Sequence, residues 1–369
     1  MRIGILGGGQ LGRMLALAGY PLGFHFRFFD PTSDAPISQL AEHFVGSYDD
    51  GDMLRRFADG VDVVTYEFEN VPVETAQMLA QMVPVYPPPQ ALEAAQDRLV
   101  EKQFLQELGI PTPSFVAVNT STELESAVTE VGLPAVLKTR RLGYDGKGQY
   151  LIRQMDDMAD AWAALGQVPL ILERFVAFTR EVSIIAVRGR DGTTTCYPLV
   201  ENEHRQGILW RSLAPAPQLS PALQEQAEDY ATRVLNALEY VGVLAIEFFQ
   251  VLDDQQQAVL VANEMAPRVH NSGHWTIEGA ETSQFENHLR AVADVPLGAV
   301  AVRGHAAMTN LIGTLPDLSS VLAIPGAHAH LYDKAPRAGR KLGHVTLRAD
   351  DLLTLTTLHQ QVEVLIDKG

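Results

Sequence analysis

The stretch "AIEFFQVLDDQQQAVLVANE", Ala245 to Glu264, leaves the chain few choices of fold. Two apolar arms flank a short polar tip, "DDQQQ", and arms joined this way pair as an antiparallel hairpin. A turn centred between Gln255 and Gln256 sets Glu247 directly opposite Glu264 on one face. Like charges facing each other across a sheet are destabilising. A divalent cation between them removes the objection, and Mg2+ held partly by nucleotide phosphates needs only one or two protein carboxylates. The alternative is a solvated pair in a slipped register, which the apolar flanks disfavour.

A chain of 369 residues has room for two or three domains around that hairpin. Apolar residues make up 46% and charged residues 20%, which suits ordinary buried cores and not disorder. A formal net charge of -17 argues against nucleic acid or an anionic membrane surface as a general partner. The single cysteine, Cys196, excludes an intrachain disulfide and fits a reducing compartment. No apolar run reaches the roughly 18 residues of a bilayer span. The strand-like run beginning at Arg2 leaves no charged segment of a secretory signal. The expectation is a cytoplasmic protein.

"RIGILGGGQLGRMLALAG" reads as strand, glycine turn and helix, and "FHFRFFD" and "VDVVTYEFENV" as further strands. Strands alternating with helical patterns predict a parallel α/β unit over residues 1–95, closed by "VYPPPQ". From residue 96 the texture changes to α+β. A helix stops at Gly109 before Pro111 and Pro113, several β-rich runs follow, and a helix spans about Pro221 to Leu238 before the hairpin. "VADVPLGAV" sets the next boundary, giving a central unit 96–295 and a small β-rich unit 296–369.

Five further stretches carry chemistry. "KTRRLGYDGKGQ" gathers Lys138, Arg140, Arg141 and Lys147 around three glycines between two strand-like runs. Neither a Ser/Thr nor a helix follows its lysine, so it reads as a hairpin-type flap over phosphates and not a P-loop; a solvated basic turn is the alternative. "PRVHNSGHWT" crowds Arg268, His270, Asn271 and His274 into one loop at a sheet edge, where substrate contacts belong. "GGGQLG", Gly7 to Gly12, satisfies the dinucleotide fingerprint with Asp30 downstream, but the same geometry serves any phosphate. "TYEFENV" puts Glu67 and Glu69 at the end of a parallel strand, where α/β folds bind ligands; salt bridging or capping is the alternative. "LYDKAPRAGRK" offers Lys334, Arg337, Arg340 and Lys341 for a second phosphate, or as a solvated charge run.

In order, "GGGQLGRM", "KTRRLGYDGKGQ", "NEMAPRVHNSGHWT" and "GRKLGH" resemble the ATP-grasp superfamily and, within it, the 5-(carboxyamino)imidazole ribonucleotide synthases. The resemblance implies an α/β and α+β chain of three domains: an N-terminal Rossmann-like (pre-ATP-grasp) domain, a central ATP-grasp domain and a small C-terminal domain. It implies an ATP- and bicarbonate-dependent ligase of purine biosynthesis that carboxylates 5-aminoimidazole ribonucleotide through carboxyphosphate, the amine capturing the carboxyl group directly or as released CO2, and that works with Mg2+ as a homodimer. By motif, Lys138 and the loop of Gly143, Tyr144, Asp145, Gly146, Lys147, Gly148 and Gln149 take the ATP phosphates. Glu173 and Val176 take the adenine, Glu181 the ribose, with Arg98, His204 and Asn263 as further nucleotide positions. Glu247 and Glu264 take the metal; Arg268, His270 and Asn271 line the bicarbonate side. Gln10, Leu11 and Glu67 face the aminoimidazole ribonucleotide, and Lys334, Arg340 and Lys341 its phosphate. Rival readings are a formate-dependent glycinamide ribonucleotide transformylase or other ATP-grasp ligase, an NAD-dependent oxidoreductase resting on Gly7–Gly12 and Asp30, and a nucleotide-binding regulatory protein without turnover.

Overall fold

The computed structural model describes residues 1–143 and 145–367. Its first unit is a parallel four-stranded sheet in the order Glu42–Val45, His25–Asp30, Arg2–Leu6, Val63–Tyr66. The aromatic run of the second strand fills both faces of this sheet. Phe26 and Phe28 join Ile3, Ile5 and Leu15 on one side, and Phe29 packs with Leu54 and Phe57 on the other. The helix Gln10–Gly19 begins at the end of the first strand, and the third predicted strand stops at Tyr66, so Glu67 lies just beyond a strand end.

A second sheet is antiparallel, in the order Phe115–Val118, Leu170–Arg174, Ala135–Thr139, Gln149–Ile152. The cationic flap joins its last two strands, as the sequence predicts. The helices Ser121–Val131 and Asp157–Leu165 bury Leu124, Val128 and Ala161 against it. The helix Arg98–Glu107 leads into this part; its Asp97 cap accepts from Leu99 N, and Gly109 follows its end with φ 69°.

The third sheet has nine strands, and the hairpin arms Gly242–Leu252 and Ala258–Ala266 form one edge. The C-terminal strands His305–Ile312, Lys341–Ala349 and Ala327–Leu331 extend this same sheet through Ile208–Ala214. The predicted β-rich tail is therefore hydrogen-bonded to the central unit. One buried cluster runs from Ile3 and Leu15 to Ile185, Trp275 and Met308, so the N-terminal unit shares a core with the large sheet. Among the described residues no helix is long and apolar enough to cross a membrane.

Candidate active site

Glu247 and Glu264 do face each other, but by a different count from the sequence reading. The hairpin pairs Leu252 with Ala258, so its turn centres on Gln255, whose neighbour Gln256 takes a positive φ of 61°. A bulge then intervenes: Glu247 pairs Glu264 while Phe248 pairs Ala262, leaving Asn263 unmatched. A bulge inserts one residue and shifts the alternation of side chains. Leu260, Ala262 and Met265 consequently share one buried core, and Glu264 turns to the opposite face beside Glu247.

Burial, then the charge of Glu264, pushes the Glu247 carboxyl up to about 7. His270 Nε2 lies 3.3 Å from Glu247, and Arg98 lies 3.5 Å from Glu264. Among the described residues no three His, Cys, Asp or Glu side chains cluster to hold a metal by themselves. Two facing carboxylates, one of them raised by burial and by the other's charge, with no third protein ligand among the described residues, fit a cation that takes its other ligands from phosphate oxygens.

Arg268 ion-pairs with Glu69, and the charges of Glu264 and Glu67 also act on it, so it stands between the hairpin and the N-terminal unit. Burial holds the imidazole of His270 well below its ordinary range, helped by Arg268 and Lys341; its Nδ1 lies 2.8 Å from Ser272 Oγ. Asn271 exchanges amide hydrogen bonds of 3.1 and 2.7 Å with the buried Asn310.

The residues expected at the nucleotide form connected pairs beside the hairpin. Lys138 donates to Glu173 at 2.9 Å, and Lys102 approaches the same carboxylate at 3.3 Å. Burial alone would raise Glu173, but the two lysines bring it below the usual carboxylate range. Among the described residues its other oxygen, Oε1, is buried without a hydrogen-bond partner. Val176 is half-buried just beyond. His204 Nδ1 lies 2.8 Å from Glu181 Oε2; burial opposes its charge, yet Glu181 and Glu247 raise it overall. Phe178 stacks on Phe249, with centroids 4.9 Å apart, two strand positions from Glu247.

The flap's charges divide. Arg140 makes two bonds to Asp97, at 2.9 and 2.7 Å, and Arg141 approaches it at 3.4 Å, so both serve as anchors. Lys138 remains on the cleft side with Glu173. Gly143 accepts from Arg98 at 3.5 Å, and Gln149 begins the return strand beside Lys138. Gly148 takes φ 70°, as only glycine does readily. At the tip, Gly146 packs on Gly207 so closely that a Cβ there would lie 2.9 Å from the Gly207 Cα. Asp145 accepts from Lys341 at 2.9 Å, and Lys147 lies between these residues and Gly148. Tyr144 lies outside the described residues.

The tail cations also divide. Lys334 donates to Gln10, across 324 residues of sequence, and Glu67 is the charge that favours its ionised form. Arg340 donates to Ala335 O at 3.2 Å in an exposed bend. Lys341 donates to Asp145 of the flap and its charge acts on both Glu247 and Lys334, so it stands between the flap and the rest of the tail cluster, which the sequence reading assigns to the ribonucleotide phosphate. The side chain of Leu11 packs in the hydrophobic core, which leaves only its peptide groups for a ligand.

The glycine turn is filled by the protein itself. Glu67 accepts from Gly9 N and, at 2.6 Å, from Gly12 N, while Asp30 accepts from Gly8 N at 2.8 Å. A dinucleotide pyrophosphate needs those same donors, so the oxidoreductase reading fails here.

Sequence reasoning missed Asp97, Glu101 and Lys102. The available signal was Glu101 four residues before Leu105, a carboxylate on the apolar stripe of a helix; both are buried.

Comparison with known proteins agrees along the whole chain. The ATP-grasp domain family matches residues 103–285, the ribonucleotide synthetase preATP-grasp domain residues 1–96, and the phosphoribosylaminoimidazole carboxylase C-terminal domain residues 306–357. The N5-carboxyaminoimidazole ribonucleotide synthase of Pseudomonas aeruginosa is 56% identical over 367 residues, covering 100% of both chains. That of Brucella melitensis is 48% identical over 349 residues, covering 93% of this chain and 95% of its own. The crystal structure of the synthetase from Thermus thermophilus superposes with TM-score 0.93 at 59% identity over 98% of each chain. The Aspergillus clavatus enzyme, solved with ADP and 5-aminoimidazole ribonucleotide, gives 0.92 at 33% identity, covering 100% of this chain and 99% of its own. This chain, an ADP-forming ATP-grasp ligase, belongs to the N5-carboxyaminoimidazole ribonucleotide synthase family.

Proposed function

We propose that the chain joins ATP, bicarbonate and 5-aminoimidazole ribonucleotide, giving ADP, phosphate and the N-carboxylated ribonucleotide, in purine biosynthesis. The observation that carries this reading is the position of Arg268. It pairs with Glu69 of the N-terminal unit and lies within reach of the charge on Glu264, so it stands between that unit and the carboxylate hairpin. A phosphate-activated group made on one side has a short path to an amine held on the other.

Residues 96–295 hold the nucleotide, with Lys138 on the phosphates, Glu173 and Val176 at the adenine and Glu181 at the ribose. Arg98, His204 and Asn263 border it. Gly143, Tyr144, Asp145, Gly146, Lys147, Gly148 and Gln149 form the flap above. Glu247 and Glu264 hold Mg2+, which when bound neutralises charge on the transferring phosphate. A bicarbonate oxygen attacks the γ-phosphorus, and the bond to the β-oxygen breaks with its electrons leaving on ADP. The exocyclic amine then attacks the carboxyl carbon, the bond to phosphate breaks, and the amine gives up a proton. Arg268 and Lys341 supply charge where these oxygens develop it. His270, kept neutral by burial, and Asn271 supply hydrogen bonds and not charge. Residues 1–95, with Gln10, the Leu11 peptide and Glu67, hold the ribonucleotide together with Lys334 and Arg340 of residues 296–369. A cytoplasmic homodimer is the form we assign.

The test is ADP release with each acceptor, with and without bicarbonate. Full coupling is expected only with 5-aminoimidazole ribonucleotide and bicarbonate together; equal release with formate and glycinamide ribonucleotide contradicts the assignment.

A further inference from the structure

Glu264 reaches the cleft only because its strand is bulged. Leu260 and Ala262 point into the core under the large sheet, and strict alternation would send Glu264 there too. The unmatched Asn263 reverses the phase, so that Met265 enters that core and Glu264 leaves it. A bulge disrupts the ladder locally and frees peptide groups that need other partners.

The strand is also the edge of its sheet, so its outward peptide groups have no ladder partner; Pro111 O takes Ala262 N at 2.7 Å, and two neighbouring side chains on the helix Arg98–Glu107 take the groups on either side of Glu264. Glu101 Oε1 accepts from Met265 N at 2.6 Å, and Lys102 Nζ donates to Asn263 O at 2.9 Å. Both side chains are buried, with 2% and 1% of their surface exposed, although both are chargeable. The cost of burying them is offset by these bonds, by their attraction to each other, by the charge of Arg98 on Glu101 and by the approach of Lys102 to Glu173 at 3.3 Å. Lys102 thus touches the hairpin at one end and the strand carrying Glu173, from the other sheet, at the same time.

We infer that Glu101 and Lys102 are positioning residues for the reaction: by gripping the peptide groups on either side of Glu264, they fix the bulge that aims its carboxylate at the metal. This rests on the reading of Glu264 as a metal-holding carboxylate. Neither side chain touches substrate; each acts through the backbone of Asn263 to Met265. Lys102 also ties the hairpin to the strand carrying Glu173, so one helix links the proposed metal and nucleotide positions.

The experiment uses the full chain and a fluorescent, non-hydrolysable ATP analogue, titrated with and without Mg2+, with melting temperatures measured in parallel. Mg2+ should tighten binding to the native protein. Glu264→Gln should lose that tightening, and Glu101→Met should lose it by about tenfold or more, the usual consequence of removing a residue that orients a metal ligand. Metal-free binding by Glu101→Met should change little. Glu101→Gln, which keeps an acceptor oxygen for Met265 N, should restore the tightening. Lys102→Met gives a second arm, expected to lose the tightening together with part of the metal-free affinity, because it also deserts Glu173. If Glu264→Gln keeps the tightening, the metal reading falls and the inference with it. If Glu264→Gln loses it while Glu101→Met and Lys102→Met keep it, the inference alone falls. Equal losses with and without Mg2+ in Glu101→Met, or failure of both variants to fold, would make the pair merely structural and overturn the inference.

Discussion

Asp97 shows how much one buried carboxylate does here. It caps the helix Arg98–Glu107 through Leu99 N and holds both flap arginines. Burial pushes its carboxyl up, but the Arg140 bond, the Leu99 N–H and the two guanidinium charges outweigh that and leave it below the ordinary aspartate value of 3.8. A lowered folded value means stability that is present above the unfolded pKa and lost as pH falls through the folded one. Asp97→Asn should therefore cost about 1.5–3 kcal/mol at neutral pH, the range for a hydrogen bond to a charged group. The gap from wild type should close in strong acid. Urea unfolding at several pH values checks this; a gap that does not change with pH assigns Asp97 no ionic role. At this scale the sequence showed the charges of Arg140 and Arg141 but not their partner, which lies 43 and 44 residues away. Counting along a hairpin found Glu247 and Glu264 because the register is local. The bulge that makes the count come right was hidden, since it depends on Glu101 and Lys102 from another element.

The elements of the site are the flap, the hairpin and the tail bend, and their meeting at Lys341 revises how the tail works. A cation 2.9 Å from Asp145 at the flap tip and near Glu247 belongs to the ATP phosphates as much as to the ribonucleotide. Lys334, bound to Gln10 and acted on by the charge of Glu67, is the cation we assign to the ribonucleotide. Lys341→Ala should raise the KM for Mg-ATP about ten- to hundredfold, the value of one lost charge-assisted phosphate contact, whereas Lys334→Ala should do so only for the ribonucleotide. Steady-state kinetics with each substrate varied in turn separates the two. An unchanged KM for Mg-ATP in Lys341→Ala returns this lysine to the ribonucleotide. Flap and hairpin were legible because glycine spacing and apolar arms are local signals. The tail reads as one basic cluster, and Arg340, Lys341 and Arg337 do act on Lys334; what the local pattern does not show is that Lys341 also reaches Asp145 of the flap, 196 residues away. The helices Ser121–Val131 and Asp157–Leu165 escaped notice for a related reason: their apolar stripes are short and face a small sheet.

In the whole molecule, composition gave the class of fold and motif order gave the family, but the joins between units depend on pairing that no local pattern carries. The tail strands continue the central sheet, and the N-terminal unit shares its core with Trp275 and Met308. That continuity brings Gln10, Glu67, Lys334, Arg268 and the hairpin next to one another, where we place the reaction. The central claim is that bicarbonate is phosphorylated there before the amine is carboxylated. The direct measurement is turnover with 18O-labelled bicarbonate and mass analysis of the phosphate released. The account predicts one 18O atom transferred to each phosphate, in step with carboxylated product. Phosphate whose added oxygen comes only from water, while product still forms, would contradict it.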